Sequence, residues 1–147
     1  MIRASEQVKI VRAAKNPDDT APDGSKIFRL LDQRQGLIKA GVCEVELDAG
    51  MVSKPVWHHT VEELWYILAG EGLVWRCPPE QPVTGGFTKR IRPGDALLIP
   101  TAWRFQFQAE NAGPLRFLCF DAPPWPGTEE AELAETGGLT PSTANTS

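Results

Sequence analysis

Glycine and proline interrupt this chain so often that only short segments remain for regular structure. Its 147 residues include 13 glycines and 13 prolines. The segments between these breaks are rich in β-branched and aromatic residues and show no sustained helical period. Short strands separated by Gly/Pro turns are typical of a β-sandwich or a β-barrel. We therefore predict an all-β fold in one domain, with no internal repeat.

The strand pattern divides the chain into a barrel and two terminal segments. The predicted strands are 27–31, 37–47, 64–68, 73–77, 87–91, 96–99, 105–108 and 115–120. Residues 1–24 are predicted to be an N-terminal arm and connector, with a short edge strand around Val8, Ile10 and Val11. Residues 25–127 form the barrel. Residues 128–147 are acidic and then rich in Ser, Thr and Gly, so we predict a disordered tail, with a helical turn or two possible over 129–135.

Charge and cysteine content limit the partners and the compartment that we expect. A net charge of −4 and a pI near 5.2 argue against binding nucleic acid or an anionic membrane through bulk electrostatics. No apolar run approaches the length of a membrane span, and the first residues lack the apolar core of a secretory signal. Cys43, Cys77 and Cys119 form no CxxC pair, so we interpret them as small buried hydrophobic residues in a reducing, cytoplasmic setting.

The stretch 50–70 concentrates the residues that could carry chemistry. Both histidines of the protein, His58 and His59, are adjacent, and Glu62 and Glu63 follow them. Imidazole and carboxylate groups within a few residues are the usual components of a metal site or an acid/base site. Glu62 and His59 are more readily explained as surface residues, whereas His58 and Glu63 are candidates for a site.

The spacing of these residues resembles the first motif of the cupins, a family of small jelly-roll barrels. That motif runs from a glycine through two histidines and a glutamate to a second glycine. On this chain it places Gly50, His58, Glu63 and Gly70 in register, with Val56 in the position of the first histidine. The resemblance extends over roughly residues 36–121. It implies a cupin jelly-roll barrel.

The second cupin motif matches in its framework but lacks its histidine. Gly94 and Pro100 match, and Phe105 falls in the histidine position. The chain is most similar to small stand-alone cupins with a TVEE-[IL]-WY segment, here 60–66, and a PPWPG end, here 123–127. In those relatives a histidine precedes the Phe-Gln-Phe run, which would place it at Arg104. The two alignments therefore disagree by one residue.

This resemblance implies a metal site that the chain fills poorly. Cupin sites use three imidazoles and one carboxylate, a set that suits divalent Fe, Mn, Ni, Cu or Zn. His58 and Glu63 are the ligands that survive. His59 could join them only if the strand is irregular, because adjacent strand residues point to opposite faces. Arg104, which stands where those relatives have a histidine, cannot replace it as a ligand, because arginine has no lone pair to offer and repels a cation. No cofactor is therefore favoured, and a divalent metal is the alternative.

The polar residues of strand 104–108 suggest a different site. Arg104, Gln106 and Gln108 share one face of the strand, and Phe105 and Phe107 share the other. If the polar face points inward, Arg104 supplies the counter-charge that a buried Glu63 requires. His58, Glu63, Arg104 and Gln106 then form a ligand pocket, with Trp65 as a candidate for its wall. If the Phe face points inward, the polar pocket is lost; we slightly favour the polar face.

Two functions remain open from the sequence. The first is a cupin that binds a small polar or carboxylated molecule without a complete metal site, as a binding module or a metal-free enzyme. The second is a metal-dependent isomerase, lyase or dioxygenase that uses His58 and Glu63 as ligands. We also expect a homodimer, because barrels of this kind expose edge strands that need cover, and the N-terminal segment could pair with a partner.

Overall fold

The computed structural model describes residues 3–7 and 9–142. In this range the chain is almost entirely strand and loop, with a four-residue helix α1 at Ala4–Gln7 and short 3-10 turns at Gln33–Gln35 and Val83–Gly85. None of the helices in the described range is long and apolar enough to cross a membrane. The strands are β1 Asp19–Thr20, β2 Lys26–Leu31, β3 Gly41–Leu47, β4 Val56–His58, β5 Glu62–Ala69, β6 Gly72–Cys77, β7 Phe87–Ile91, β8 Ala96–Ile99, β9 Arg104–Ala109, β10 Leu115–Ala122 and β11 Ala131–Leu133.

The strands form two antiparallel sheets packed face to face. One sheet has six strands in the order β1-β2-β3-β10-β5-β8, and the other has five in the order β11-β4-β9-β6-β7. Most neighbours in these sheets are far apart in the chain, so the connections cross repeatedly between the sheets. This arrangement confirms the predicted cupin jelly-roll barrel.

A close backbone approach explains the glycine that ends β5. Gly70 has a φ of 78°, in the left-handed region that L residues with a side chain avoid. A Cβ atom at this position would lie 2.1 Å from the carbonyl oxygen of Pro114. The short connection from β5 to β6 therefore requires glycine on two counts, and it carries the chain from the six-stranded sheet to the five-stranded sheet.

Alternation of apolar and polar residues along β5 and β10 produces the core. Trp65 stacks on Phe117 with their ring centroids 4.1 Å apart, and Phe107 meets both rings edge-on. These three side chains are at most 2 % exposed. The same three rings also line a space that remains between the sheets.

Both terminal segments differ from the prediction. Residues 131–133, predicted as disordered tail or helical turn, form β11, which pairs with β4 and covers one edge of the five-stranded sheet. The sequence also contained no separate signal for β4.

At the N-terminus, Ile10 and Val11 lie outside any strand, and the edge strand is instead β1, paired with β2 of its own chain. Val8 and residues 143–147 lie outside the described residues.

Candidate functional site

A cavity of about 500 Å³ lies between the two sheets. Strands β2, β3, β5 and β10 form one wall, β4 and β9 form the facing wall, and residues from the 19–25 and 125–131 segments border it. Its volume is within the range of small-molecule sites in proteins. The jelly-roll barrel therefore contains a preformed space for a ligand.

Apolar side chains cover most of the cavity wall. They come from both sheets, since every second side chain of a strand points inward and the two sheets face each other across the cavity. Phe105 and Phe107 of β9 belong to this wall, so the Phe face of that strand points inward. The larger apolar side chains of the lining are Ile27, Leu31, Val42, Val45, Val56, Trp65, Phe105, Phe107, Phe117 and Trp125.

One part of the cavity is polar and centres on Glu63. Its carboxylate accepts a hydrogen bond of 2.9 Å from Nε1 of Trp65. Nδ1 of His58 lies 3.7 Å from Oε2 of Glu63 and has no hydrogen-bond partner among the described residues. Both side chains are nearly buried, with residue exposures of 5 % for His58 and 7 % for Glu63. The predicted pair therefore lies together in the barrel, with Trp65 as part of its wall.

A second carboxyl group, that of Asp121, lies beside Glu63. The two residues are direct partners across β5 and β10, and their side chains are hydrogen-bonded to each other. Burial raises the pKa of Glu63 to about 8. The charge of His58 acts in the opposite direction and lowers this pKa, but its effect is smaller. Burial also raises the pKa of Asp121 to about 7. Two adjacent buried carboxyl groups cannot both ionise readily, so the pair retains a proton near neutral pH.

Two cysteines lie next to this carboxyl pair. Cys43 on β3 is the direct cross-strand partner of Cys119 on β10, and Sγ of Cys119 lies 3.6 Å from Oδ1 of Asp121. Both cysteines line the cavity. The interpretation of the cysteines as small buried hydrophobic residues fits Cys77, which is fully buried against loop carbonyls. It did not foresee that Cys43 and Cys119 lie at the cavity beside a carboxyl group. Asp121 was also missed, because the order β3-β10-β5 that brings these residues together is not visible in the sequence.

Arg104 and Gln106 lie on the other face of β9, away from the cavity. The guanidinium group of Arg104 contacts Sγ of Cys77 at 3.2 Å and the carbonyl oxygen of Gln81. The side chain of Gln106 is fully buried and donates to the carbonyl oxygens of Ser53 and Leu139. The prediction that the polar face of β9 lines the barrel is therefore wrong. Arg104 does not supply the counter-charge to Glu63.

His59 is also separated from the cavity. Its side chain is 44 % exposed, and its Nε2 lies 3.3 Å from Oε1 of Glu132. The ring packs edge-on against Trp57 with centroids 4.4 Å apart. β4 ends at His58, whose side chain is buried, and His59 follows the strand with its side chain on the surface.

The three-imidazole metal site of the cupin motifs does not fit these residues. Val56 and Phe105, which occupy two of the histidine positions, face each other as cross-strand partners. The ring of Phe105 lies edge-on to His58 with centroids 5.3 Å apart. Hydrocarbon therefore occupies the space where two imidazoles would have to stand. His58 and Glu63 alone provide too few ligands for that site.

The fold and the cavity define a small β-barrel protein of the cupin type. The family model described as Cupin matches residues 13–128, and the chain belongs to this family. It is 31 % identical over 117 residues to an uncharacterized protein of Methanocaldococcus jannaschii, an alignment that covers 77 % of this chain and 84 % of that one.

Solved structures similar to this chain include oxalate decarboxylases. Superposition on the Bacillus subtilis oxalate decarboxylase, an enzyme with Mn(II) centres, gives a TM-score of 0.66 with 16 % identity over 81 % of this chain. The oxalate decarboxylase of Lactobacillus farciminis, in complex with formate, gives 0.67 with 16 % identity over 85 % of this chain. The matches cover 30 % and 36 % of those chains, so this protein spans about a third of their length. At this identity the likeness shows the fold.

Proposed function

We propose that this cupin binds a small neutral molecule with a largely apolar body and a hydroxyl or carbonyl group inside the barrel. The observation that carries the proposal is the cavity of about 500 Å³, whose apolar walls meet a buried polar group of His58, Glu63 and Asp121. Apolar walls with a few convergent polar groups are the usual form of a small-molecule site.

The walls provide the affinity and the polar group provides the orientation. Each methylene group that a ligand buries against the aromatic and aliphatic wall contributes about 0.8 kcal/mol. Nδ1 of His58 and the carboxyl groups of Glu63 and Asp121 then offer hydrogen bonds to one polar group of the ligand. A ligand without such a group would leave these buried atoms unpaired, which disfavours its binding.

The charges around the cavity narrow the class of ligand. Among the described residues that line it, the carboxyl groups of Asp19, Asp23, Asp32, Glu63 and Asp121 face one guanidinium group, that of Arg29. Arg29 is already paired with Asp19, with Nε of Arg29 2.6 Å from Oδ2. Because Arg104 lies elsewhere, a carboxylated ligand would meet the carboxyl groups of Glu63 and Asp121 with no further arginine or lysine among the described lining residues. The carboxylated part of the sequence-based prediction therefore loses its support.

The alternative, a metal-dependent isomerase, lyase or dioxygenase with His58 and Glu63 as ligands, has less support. It requires imidazoles where Val56 and Phe105 meet. The similarity to oxalate decarboxylases concerns the fold of those enzymes and provides no histidines to this chain.

A matched series of six-membered rings tests the proposal. We expect cyclohexanol and cyclohexanone at millimolar concentration to raise the melting temperature of the protein, and cyclohexanecarboxylate to have little effect. The rise in melting temperature should be clearly smaller in Glu63→Gln. The amide disrupts the hydrogen bonds of the carboxyl pair, which is the group proposed to bind the polar end of the ligand. The exposed His59→Ala serves as the control and should respond like the original protein.

Two outcomes would contradict the proposal. One is a larger stabilisation by cyclohexanecarboxylate than by cyclohexanol. The other is an equal response of the original protein and Glu63→Gln to every ring in the series, which would mean that the polar group of the cavity takes no part in binding.

A further inference from the structure

We propose that Cys43, Cys119 and Asp121 form a site for a zinc-type divalent ion on the six-stranded wall of the barrel, distinct from the histidine position of the cupin motifs. This inference goes beyond the proposed ligand binding and does not depend on it. The three residues lie on adjacent strands β3 and β10 and face the same cavity.

The spacing of the three ligand atoms suits a tetrahedral ion. The two thiol sulfurs and a carboxylate oxygen of Asp121 all lie within 4.8 Å of one another. Sγ of Cys119 and Oδ1 of Asp121 are 3.6 Å apart. Metal–ligand distances of about 2.3 Å for sulfur and about 2.0 Å for oxygen place tetrahedral neighbours roughly 3.5 Å apart. The separation between Cys119 and Asp121 already matches this value, and the separations to Cys43 stay within 4.8 Å.

The chemistry of the donor set selects the type of ion. Two thiolates and one carboxylate favour a borderline-soft cation such as Zn²⁺ over Mg²⁺ or Ca²⁺, which prefer oxygen alone. Three protein ligands also leave the fourth position of the ion open. Because all three residues line the cavity, a water or a substrate in that space could complete the shell, as in catalytic zinc sites.

The surroundings of the three residues supply a second, independent indication. Nδ1 of His58 is unpaired among the described residues although the side chain is only 6 % exposed, and it lines the same cavity. Asp121 also has the carboxyl group of Glu63 as its cross-strand neighbour. Among the described residues no lysine or arginine is ion-paired with Glu63 or Asp121, so a divalent ion would supply the cation that this carboxyl pair needs when it ionises.

Cobalt substitution tests the site through a spectrum that only thiolate ligands produce. The full-length protein is kept reduced with a phosphine and titrated with Co²⁺. We expect one equivalent to bind, with a thiolate-to-cobalt charge-transfer band in the near ultraviolet and the intense visible bands of tetrahedral cobalt. Cys43→Ser and Cys119→Ser should lose the charge-transfer band or reduce it strongly, and Zn²⁺ should displace the cobalt.

Cys77→Ser is the matched control, since Cys77 is buried elsewhere and should leave the spectrum unchanged. His58→Ala should keep the charge-transfer band. The proposal is overturned if the reduced protein gives no such band, or if the band keeps its full intensity in Cys43→Ser. It is equally overturned if bound cobalt shows no thiolate band and disappears in His58→Ala, because the ion would then occupy the His58–Glu63 position.

Discussion

Two buried glutamates show how the immediate surroundings decide the charge of a residue. Glu63 lies beside a second carboxyl group, and its pKa is raised. Glu130 is 5 % exposed, but its carboxylate accepts hydrogen bonds from the backbone N–H of Thr60, the hydroxyl of Thr60 and the backbone N–H of Val61, at 2.6–3.0 Å. Burial alone would raise the pKa of Glu130, but the hydrogen bonds from Thr60 and Val61 lower it. Glu130 therefore serves as a structural anion, whereas Glu63 holds or shares a proton.

Replacing Glu130 by Gln should destabilise the fold in a pH-dependent way. Because the folded pKa lies below the ordinary value of 4.5, the carboxylate stabilises the fold above that pH, and this is lost as pH falls through the folded pKa. We expect Glu130→Gln to lower the free energy of unfolding by about 1–3 kcal/mol near neutrality. Urea unfolding at several pH values should show this difference shrinking as the pH falls below 4.5.

Glu132→Gln provides the control, because its side chain is 52 % exposed and pairs with His59 on the surface. It should change the unfolding free energy by less than about 0.5 kcal/mol. A Glu130→Gln variant that is as stable as the original protein at neutral pH would refute the role assigned to this carboxylate.

At the scale of elements, the segment after β10 completes the five-stranded sheet. Strand β11 pairs with β4, and beyond it Leu139 exchanges two hydrogen bonds with the side chain of Gln106, at 2.7 and 2.9 Å. The amide of Gln106 is fully buried. Without the Leu139 segment this amide would lose two of its hydrogen bonds, so β9 and the segment around residue 139 depend on each other.

Deletion of residues 135–147 should therefore be strongly coupled to Gln106→Leu. In the full-length chain the leucine leaves the backbone groups of Leu139 unpaired, and we expect a loss of about 1–3 kcal/mol. In the shortened chain those groups are absent, so the same substitution should cost less. A double-mutant cycle by urea denaturation measures the coupling. Additivity within about 0.5 kcal/mol would show that the contact contributes nothing.

At the scale of the whole molecule, the outer face of the six-stranded sheet carries an apolar patch. Leu64 is 50 % exposed, and its cross-strand partners Leu98 and Phe120 are each 39 % exposed. Tyr66 and Leu68 continue the patch along β5, at 44 % and 39 %. Contiguous exposed apolar surface of this kind is typical of an interface. Strand β8 is also an open edge of this sheet.

We propose that the protein forms a homodimer through this patch, with a second copy as the occupant. The earlier expectation placed the N-terminal segment at the interface, but β1 pairs within its own chain. Light scattering coupled to gel filtration should show a dimer for the original protein and a monomer for Leu64→Lys. Leu133→Lys, at an equally exposed leucine on the other sheet, should stay dimeric. A monomeric original protein would refute the proposal.

Local features of the sequence were enough to predict the class of fold. Alternation of side chains and Gly/Pro turns located eight strands, each of which overlaps a strand of the structure, and the spacing from Gly50 to Gly70 pointed to the cupin barrel. His58 and Glu63 were also predicted as neighbours from the spacing of the cupin motif, with Trp65 as a candidate for the wall beside them, and all three line the cavity.

The composition of the cavity was decided by long-range pairing. A shift of one residue in the alignment of β9 exchanges Arg104 for Phe105 at the inward position, and the cross-strand pairing of Val56 with Phe105 resolves that ambiguity. Cys43, Cys119 and Asp121 come together because β10 inserts between β3 and β5. Sequence alone determined which residues prefer strands and turns, since those preferences are local. Tertiary structure decided which side chains meet, since register and strand order depend on contacts between distant segments.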